Sequence, residues 1–343
     1  MPGLRYTDAG VDIDRQDATT DQIKSIVRTS HGPEVLSDIG TFGGLYQPDL
    51  DGCKRAVLVP STDSVGTKLK VAFMAGQHES VGMDIVGHCA NDVLVMGARP
   101  LFFLDYIGMG VHDTSVAVSI LKGVTHACRE INCAVIGGEL AELPDLYTPG
   151  EYDLVGTIVG LVDRDSIIDG KSIEAGDRVI GLASDGLHTN GFSLARKALF
   201  DRAGYDVDTV VDGWGCTVGE GLLAPHRCYV NSLLLLCATG EIKGMAHITG
   251  GGLLDNIPRV LPQGCSVEIN RGTWPVLPVF DTIQEAGDVE DNEMFRTFNM
   301  GIGMIVIVSA EAEAAVTESL MESGEQPYTI GAVVSGNRDV EIV

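Results

Sequence analysis

Two residues of opposite charge, Asp63 and Lys68, lie five positions apart in the polar stretch at residues 60–71. A carboxylate is an oxygen ligand for a hard cation such as Mg²⁺, and a lysine is a point positive charge. We expect a turn here after a short apolar strand, with loop amides around Gly66 and Thr67 available to phosphate oxygens. The stretch therefore suits a metal-bound polyphosphate, although an ordinary polar turn with a salt bridge would have the same sequence.

Further acids are embedded in apolar segments of the first half. Asp92 follows Asn91 inside a helical pattern, and Asp105 lies in an apolar strand-like run. A buried carboxylate is costly unless it is paired or binds a cation, so each is either a ligand or a boundary residue bonded to nearby backbone. Glu139 follows two glycines, and we expect it at a sharp turn that ends a short strand. Asp63, Asp92 and Glu139, together with Lys68, predict a magnesium–nucleotide site.

The second half offers a histidine and a glycine-rich loop. His188 stands in the polar loop 184–191 before a predicted helix, where it could bind an anion, move a proton or simply bond within its own loop. Gly250, Gly251 and Gly252 precede another predicted helix. Glycines at a helix start allow a phosphate to approach the backbone N–H groups closely, although a flexible linker is the alternative.

Hydrophobic periodicity predicts the elements that position these residues. One helix has the apolar stripe Val81, Ile85, Cys89, Val93 and Met96 and should end near Gly97, Arg99 and Pro100. A second helix should be capped by Asp113 and carry the stripe Ala117, Ile120, Val124, Ala127 and Ile131. A short N-terminal helix should be capped near Thr20, and residues 154–162 should form a strand.

Length and composition indicate two domains. The chain has 343 residues, of which 43 are glycine, and much of the glycine lies where strand-like runs end. We predict an α+β fold class with two α/β domains, and place their boundary in the polar stretch 163–178. The predicted domains are residues 1–165 and residues 166–343. The triplet at residues 170–172 is not a P-loop, because Asp165 stands where that motif needs glycine.

The charge excludes one class of partner. The formal net charge of −25 argues against nucleic-acid binding, which needs clustered basic residues. Only eight of the 23 basic residues are lysine, which is consistent with a high-salt cytoplasm where self-repulsion is screened. Thermal unfolding at low salt would test that hypothesis, since an unchanged midpoint there contradicts it.

Cysteine usage and hydropathy indicate a reduced compartment. The eight cysteines form no C-x-x-C pair, so we expect reduced core residues in a cytoplasmic protein and, for the same reason, no zinc. No apolar run reaches the length of a membrane span, and the first ten residues contain no signal-peptide core.

These motifs, in this order and over nearly the whole length, resemble the aminoimidazole ribonucleotide synthetase (phosphoribosylformylglycinamidine cyclo-ligase) family. Single motifs occur more loosely in related ATP-using enzymes, whereas DAGVDID and RTFNMGIGM favour this family. The matching stretches are YTDAGVDID, GPEVL, TDSVGTKL, NDVLVMGARPLFFLDY, GGELAELPD, SDGLHTNGFSL, HITGGG, NIPRVLP and MFRTFNMGIGM.

The resemblance implies an activity and an assembly. In this family ATP phosphorylates the formyl amide oxygen of formylglycinamidine ribonucleotide, a ring nitrogen attacks the activated carbon, and phosphate leaves. The implied cofactors are ATP and Mg²⁺. The domain at residues 1–165 would then bind ATP and magnesium and dimerise, and the domain at residues 166–343 would bind substrate and phosphate. The implied assembly is a homodimer in which N-terminal sheets pair into a barrel-like structure, with a C-terminal mixed sheet and helices in each chain.

The resemblance also implies roles for single residues. Asp63, Asp92 and Glu139 would hold magnesium, with Asn91 supporting, while Lys68 and the amides around Gly66 would meet phosphates. Lys24 matches a lysine of the family's N-terminal segment near the nucleotide. His188 and Asn190 would face substrate or the transferred phosphate, which residues 250–252 would cradle. Ser61 and Ser64 stand where this family usually has glycine, so the turn could differ in shape.

Two other functions remain compatible with the sequence. One is a kinase or synthetase of the same superfamily that phosphorylates a different small acceptor. The other is a catalytically inactive nucleotide-binding dimer, against which the retention of Asp63, Lys68, Asp92 and Glu139 argues.

Overall fold

Two β-sheets with surrounding helices make up the computed structural model, which describes residues 3–343. The first half contains α1 (Ile13–Val27), β1 (Ala56–Ser64), α2 (Leu69–Ala75), α3 (Glu79–Leu94), β2 (Arg99–Met109), α4 (Thr114–Glu130), β3 (Ala134–Glu142) and β4 (Tyr152–Asp163). The second half contains β5 (Arg178–Ala183), α5 (Phe192–Arg196), α6 (Val218–Leu222), α7 (Val230–Cys237), β6 (Ile242–His247), α8 (Gly252–Asn256), β7 (Cys265–Ile269), α9 (Pro278–Gly287), α10 (Asp291–Thr297), β8 (Ile302–Val308), α11 (Glu313–Glu322), β9 (Pro327–Ser335) and β10 (Val340–Ile342).

The first sheet has four strands in the order β1-β4-β2-β3. β2 and β3 are parallel and are joined through α4, whereas β4 is antiparallel to both β1 and β2. Side chains of β1 alternate between half-buried and exposed along the strand. The half-buried side faces α3, because α3 packs against β1, β2 and β4. The opposite side of β1 therefore faces solvent.

The second sheet has six strands in the order β10-β7-β9-β5-β8-β6. All neighbours are antiparallel except β10 and β7. β8 is buried along its whole length because it lies between β5 and β6 in the interior of this sheet. The predicted α+β class is confirmed, with two mixed sheets. In the described residues no helix is long and apolar enough to cross a membrane.

The two helices predicted from their stripes form. Val81, Ile85, Cys89 and Val93 are all buried on α3, and the predicted stripe of α4 is buried in full. Met96, the last residue of the predicted α3 stripe, lies beyond the end of the helix and is 36% exposed. Asp113 caps α4 by accepting hydrogen bonds from the backbone N–H groups of Ser115 and Val116. Burial of these stripes drives the packing of both helices on the sheet, since apolar area removed from water stabilises by about 25 cal/mol per Å².

Several predicted boundaries are wrong for identifiable reasons. α3 ends at Leu94, and Arg99 already opens β2 instead of ending the helix. Thr20 caps no helix, because α1 begins seven residues earlier and Asp12 caps it through the N–H of Arg15. The Thr20 hydroxyl instead donates to the carbonyl of Gln16 one turn back.

The sequence predicted that Asp63 and Glu139 lie in turns, but both residues lie inside β-strands. Asp63 lies inside β1, which continues to Ser64, and Glu139 lies inside β3, which continues to Glu142. At Gly138 an added Cβ would lie 2.4 Å from the Oδ1 of Asp105, so glycine here permits close approach to β2 and does not make a turn.

Candidate active site

A cavity of about 540 Å³ opens between segments of the two halves. Asp63 and Asp92 line it from the first half, and Thr249, Asn256 and Arg259 line it from the second. Its volume lies in the range of small-molecule sites, roughly 300–1,000 Å³. The cavity therefore combines carboxylates, a cation and the edge of the predicted glycine loop around one space.

Asp63 and Asp92 converge on one hydroxyl. Ser61 Oγ lies 3.2 Å from Asp63 Oδ2 and 3.1 Å from Asp92 Oδ2, although the two acids come from β1 and α3. Burial and the charge of Asp92 raise the pKa of Asp63 to about 6. Two converging carboxylates are a hard-oxygen donor set that suits Mg²⁺, which commonly takes one or two carboxylates together with substrate phosphates. The residues present therefore fit the expected ion.

His247 holds Asp92 in its charged form. Burial alone would raise the pKa of Asp92, but the hydrogen bond from His247 Nδ1, at 2.8 Å from Asp92 Oδ1, keeps that pKa low, at about 2. Asp63 and Asp92 thus have pKa values on opposite sides of the ordinary carboxylate value, because only Asp92 accepts a hydrogen bond from a histidine ring. His88 lies further from Asp63, with Nε2 3.7 Å from Oδ1.

Lys68 does not reach this cavity, which corrects its predicted role as a phosphate contact. Its side chain is completely buried and its Nζ lies 2.8 Å from Asp84 Oδ2. The ammonium also donates to the carbonyls of His188 and Ala224, at 3.0 and 2.8 Å. All three of its protons are therefore used within the protein. The pair ties the start of α2 to α3 and to two loops of the second half.

Asn91 is also structural in this arrangement, so its predicted support of magnesium is not what its contacts indicate. Its Nδ2 donates to the carbonyl of Arg227 at 2.8 Å, and its Oδ1 accepts the N–H of Tyr229 at 3.0 Å. The fully buried side chain therefore satisfies the backbone of the segment that leads into α7.

Glu139 lies apart from the two aspartates, which contradicts a three-acid site within one chain. Asp63 shares a row across the first sheet with Gly156, Asp105 and Gly138, and Glu139 belongs to the next row. Three strand spacings of about 4.8 Å put β1 and β3 roughly 14 Å apart, and adjacent rows point to opposite faces. Glu139 is exposed and borders a smaller pocket with Thr20 of α1.

Asp105 belongs to the neighbourhood of Glu139. Burial, and further the charge of Glu139, raise the pKa of Asp105 to about 7. Lys24 projects from α1 on the same side of the molecule, where its Nζ pairs with Asp21 at 3.0 Å and lies near Gly40. Lys24 and Glu139 are thus both remote from the main cavity in one chain.

His188 is buried and is not among the residues that line the cavity, so its role towards substrate or phosphate stays a prediction. Among the described residues, neither of its ring nitrogens has a hydrogen-bond partner. Burial, followed by the charges of neighbouring groups, lowers the pKa of His188 far below its usual range. A buried unsatisfied polar atom costs about 1–3 kcal/mol, so this residue is unusual in a folded core.

The glycine loop borders the cavity and is held by one side chain. Asn256 Nδ2 donates to the carbonyls of Gly250 and Gly252, at 3.2 and 2.8 Å. Asn190 lies against this loop, since its Oδ1 is 3.3 Å from the position of a Cβ on Gly250. The loop and Asn190 therefore meet, as expected for residues that would share a phosphate.

Gly66 and Thr67 begin a short 3₁₀ helix and are exposed. Thr67 Oγ1 lies 3.0 Å from Ser193 Oγ, at the start of α5. This contact joins the segment after β1 to the second half. The roles of Gly66 and Thr67 in phosphate binding stay predictions.

Sequence reasoning missed His88, His247 and Arg259 as cavity residues. His247 lies three residues before Gly250, so its position was visible in the sequence but carried no role. His88 lies on α3 four residues before Asp92, which is helical spacing for one face. Arg259 had no local signal, because it follows an apolar segment and lies in a 3₁₀ turn after α8.

The fold is that of a class of two-domain α+β proteins that includes ATP-binding members. Thiamine-monophosphate kinase from Stenotrophomonas maltophilia superposes with a TM-score of 0.68, 18% identity and 94% coverage of both chains. Hydrogenase maturation protein HypE, solved in complex with ATP, superposes with a TM-score of 0.64 and 19% identity, covering 94% of this chain and 90% of that one. At these identities the likeness concerns the fold alone.

Sequence comparison then gives the family. The N-terminal and C-terminal domains of AIR synthase related protein match residues 50–162 and 174–343. The phosphoribosylformylglycinamidine cyclo-ligase of Citrifermentans bemidjiense is 49% identical over 340 residues, covering 99% of this chain and 98% of that protein. The chain belongs to the AIR synthase related family.

Proposed function

We propose that this protein is an ATP-dependent ligase that closes the imidazole ring of formylglycinamidine ribonucleotide to form 5-aminoimidazole ribonucleotide in purine biosynthesis. The observation that carries the proposal is the cavity in which Asp63 and Asp92 converge and which Thr249, Asn256 and Arg259 line from the second half. Full-length similarity to cyclo-ligases at about half identity supports the same reaction.

The chemistry needs an activated leaving group. An amide oxygen leaves poorly, whereas a phosphorylated oxygen leaves as inorganic phosphate. The γ-phosphoryl group of ATP is transferred to the formyl oxygen, the amidine nitrogen bonds to the formyl carbon, and the C–O bond to phosphate breaks as a proton is lost from nitrogen. Most of the catalysis is then orientation of the two substrates and stabilisation of phosphate charge.

The residues around the cavity divide these tasks. Asp63 and Asp92 hold Mg²⁺, which neutralises phosphate charge when bound. Ser61 and His247 keep the two carboxylates oriented through the hydrogen bonds described above. The amides of Gly250, Gly251 and Gly252 and the exposed guanidinium of Arg259 contact phosphate oxygens, with Asn190 beside them. Lys68 and His188 support this arrangement from below and do not touch substrate.

Glu139 and Lys24 complete a site only if a second copy supplies them. Within one chain Glu139 lies roughly 14 Å from Asp63 across the sheet. The solvent-facing side of β1 carries Leu58, which is 61% exposed, and β1 is an edge strand with an unpaired backbone. A homodimer formed through this sheet would cover both features, and barrel-like closure of the paired sheets is part of the proposal.

The domain division and the location in the cell belong to the same proposal. We place the N-terminal domain at residues 1–165 and the C-terminal domain at residues 166–343, in a cytoplasmic enzyme. The first sheet ends at Asp163 and the second begins at Arg178, which supports this boundary.

A coupled assay tests the reaction. Purified protein in high potassium chloride is given ATP, Mg²⁺ and formylglycinamidine ribonucleotide, and ADP and aminoimidazole ribonucleotide are both quantified. Equal amounts of the two products support the cyclo-ligase. ADP without the imidazole product, or ADP formed only with thiamine phosphate, would instead indicate a kinase of the same fold. Neither product, from protein shown to be folded in that salt, would contradict an enzymatic role.

A further inference from the structure

Three buried histidines from separate segments meet below the cavity. His188 lies in the loop between β5 and α5, His226 precedes α7, and His247 ends β6. One ring nitrogen of each lies within 4.8 Å of a ring nitrogen of the other two. The rings of His188 and His226 are stacked with centroids 4.1 Å apart.

The hydrogen bonds around two of these rings bring two nitrogen lone pairs face to face. Asp92 accepts a hydrogen bond from His247 Nδ1, so Nδ1 of His247 carries a proton. His226 Nε2 lies 3.3 Å from the donor Nδ2 of Asn91, whose orientation is set by the bond from Tyr229 N–H to its oxygen. In neutral rings the Nε2 atoms of His226 and His247 would both present lone pairs at a separation of 2.9 Å. A cation between them, either a proton or a metal ion, removes that repulsion.

The surroundings of His188 favour a metal ion over a proton as this cation. A proton shared by His226 and His247 leaves both buried nitrogens of His188 without a partner. A metal ion at the same point would use one of them. His188 also has a left-handed backbone with φ of 62°, and Gly303 of β8 leaves the space for its ring, since a Cβ there would lie 2.4 Å from His188 Cε1. A strained backbone that holds an unpaired polar ring is typical of a binding site.

We propose that His188, His226 and His247 bind a divalent transition-metal ion of the Zn²⁺ type. Zinc–nitrogen bonds of about 2.0–2.1 Å give nitrogens roughly 3.4 Å apart in a tetrahedral site. The Nε2 atoms of His226 and His247 are 2.9 Å apart, and the other nitrogen–nitrogen distances in the cluster are at most 4.8 Å. These distances lie on either side of the roughly 3.4 Å expected around zinc. Because the rings of His188 and His226 are stacked, one of these two rings must turn before the nitrogens of both can face a common ion.

The surroundings orient the ligands as metal sites require. Asp92 lies behind His247, and Thr189 Oγ1 lies 3.3 Å from His226 Nδ1, so two of the three rings have an oxygen partner on the nitrogen that faces away from the metal. His247 also lines the open cavity, which provides a route of entry and a side on which a fourth ligand can bind. Cysteine spacing excluded a thiolate zinc site, but an imidazole site leaves no such spacing in the sequence.

This site differs in chemistry from the pair Asp63 and Asp92. Carboxylate oxygens favour Mg²⁺, whereas imidazole nitrogens favour Zn²⁺, Co²⁺ or Ni²⁺. Excess Mg²⁺ should therefore displace a transition metal from the carboxylates but not from the three histidines. The proposal does not depend on the ligase activity.

The test is a titration of chelator-treated, folded full-length protein with Co²⁺ in the presence of excess Mg²⁺. We expect one Co²⁺ per chain, with the intense visible absorption of a tetrahedral nitrogen-ligated ion, and displacement by Zn²⁺. The thermal midpoint should rise with Zn²⁺ concentration, because an ion that binds only the folded state stabilises it. No absorption change, or only binding that Mg²⁺ abolishes, would overturn the proposal.

Variants locate the ion. His226→Gln should abolish the Co²⁺ spectrum, and Thr189→Val should weaken binding by about tenfold or more, as loss of an outer partner does. His126→Gln is the matched control, because His126 is an exposed histidine of α4 that pairs only with Glu130. It should bind as the parent does. Retention of the spectrum in folded His226→Gln, or its equal loss in His126→Gln, would contradict the assignment.

Discussion

At the scale of single residues, the molecule contains two lysine–carboxylate pairs that differ in burial. The side chains of Lys68 and Asp84 are both 0% exposed. Lys70, two residues after Lys68, pairs with Glu151, and these side chains are 42% and 35% exposed. Burial lowers the pKa of Lys68 and raises the pKa of Asp84, and their mutual attraction opposes both shifts. Three acceptors around Lys68 Nζ match the three protons of an ammonium, so we assign a charged pair.

Lys68→Met should destabilise the protein strongly. It leaves Asp84 as an uncompensated buried charge, which typically costs about 3–5 kcal/mol. Lys70→Met removes an exposed pair, which is worth at most about 1 kcal/mol. Denaturant midpoints of the two variants check the difference. Equal midpoints, or activity lost in Lys68→Met without any loss of stability, would favour a direct catalytic role for Lys68.

Asp63→Asn should stabilise the metal-free protein at neutral pH while it abolishes turnover. The folded pKa of Asp63, about 6, lies above the ordinary 3.8, so ionising this group costs the folded state free energy. That cost is absent below about pH 4, grows up to about pH 6 and is constant above it. Asparagine never ionises, so the gain in thermal midpoint should appear at about pH 8 and vanish near pH 4. A gain that is independent of pH would contradict the assigned shift, and Asp208→Asn serves as an exposed control.

At the scale of elements, two glycines of the loop before α8 meet different requirements, one for folding and one for ligand binding. Gly252 has φ of 57°, and a Cβ there would lie 2.0 Å from the carbonyl oxygen of Phe295. Gly250 is exposed, and its nearest neighbour would be Asn190 Oδ1 at 3.3 Å. One glycine is therefore needed for folding, and the other is free to serve a ligand.

Gly252→Ala should lower the denaturant midpoint by the equivalent of about 1–3 kcal/mol, from backbone strain and overpacking. Gly250→Ala should keep the midpoint within about 0.5 kcal/mol and raise the KM for ATP, because a methyl group intrudes where phosphate oxygens approach. Steady-state kinetics and unfolding measured on the same preparations check both effects. An unchanged KM in Gly250→Ala would remove this loop from the phosphate site.

Element type was predictable from the sequence, but the pairing of site residues was not. The stripes of α3 and α4 have a 3.6-residue period that only burial on one side explains. Gly137 and Gly138 were misread, because glycine permits both tight turns and close strand approach, and only the neighbouring strand distinguishes them. The meeting of Asp63 with Asp92 depends on how α3 crosses the sheet, which no local pattern encodes.

Histidines illustrate the same limit. His88, His188, His226 and His247 come from four segments and carry no common spacing. Their proximity results from tertiary packing of loops from the second half against α3. Lys68 was assigned to phosphate because a polar turn was expected after the strand, whereas the side chain of Lys68 is buried at the end of a 3₁₀ turn.

At the scale of the whole molecule, the first sheet has an edge strand and an exposed face that one chain leaves uncovered. Leu58→Asp should convert the proposed dimer to a monomer, because it buries an unpaired charge in the interface. Activity should fall with it, since Glu139 then cannot join Asp63. Analytical ultracentrifugation of the variant and of Leu235→Asp, at a 79% exposed leucine on α7, checks this. A monomeric parent with full activity would contradict the dimer.

The central claim is that ATP activates the formyl oxygen of the substrate for ring closure. Its most direct test uses formylglycinamidine ribonucleotide labelled with ¹⁸O at the formyl oxygen, with the phosphate product examined by mass spectrometry. We predict one ¹⁸O in each inorganic phosphate released, in step with aminoimidazole ribonucleotide formation. Unlabelled phosphate, with the ¹⁸O lost to water, would contradict phosphorylation of that oxygen.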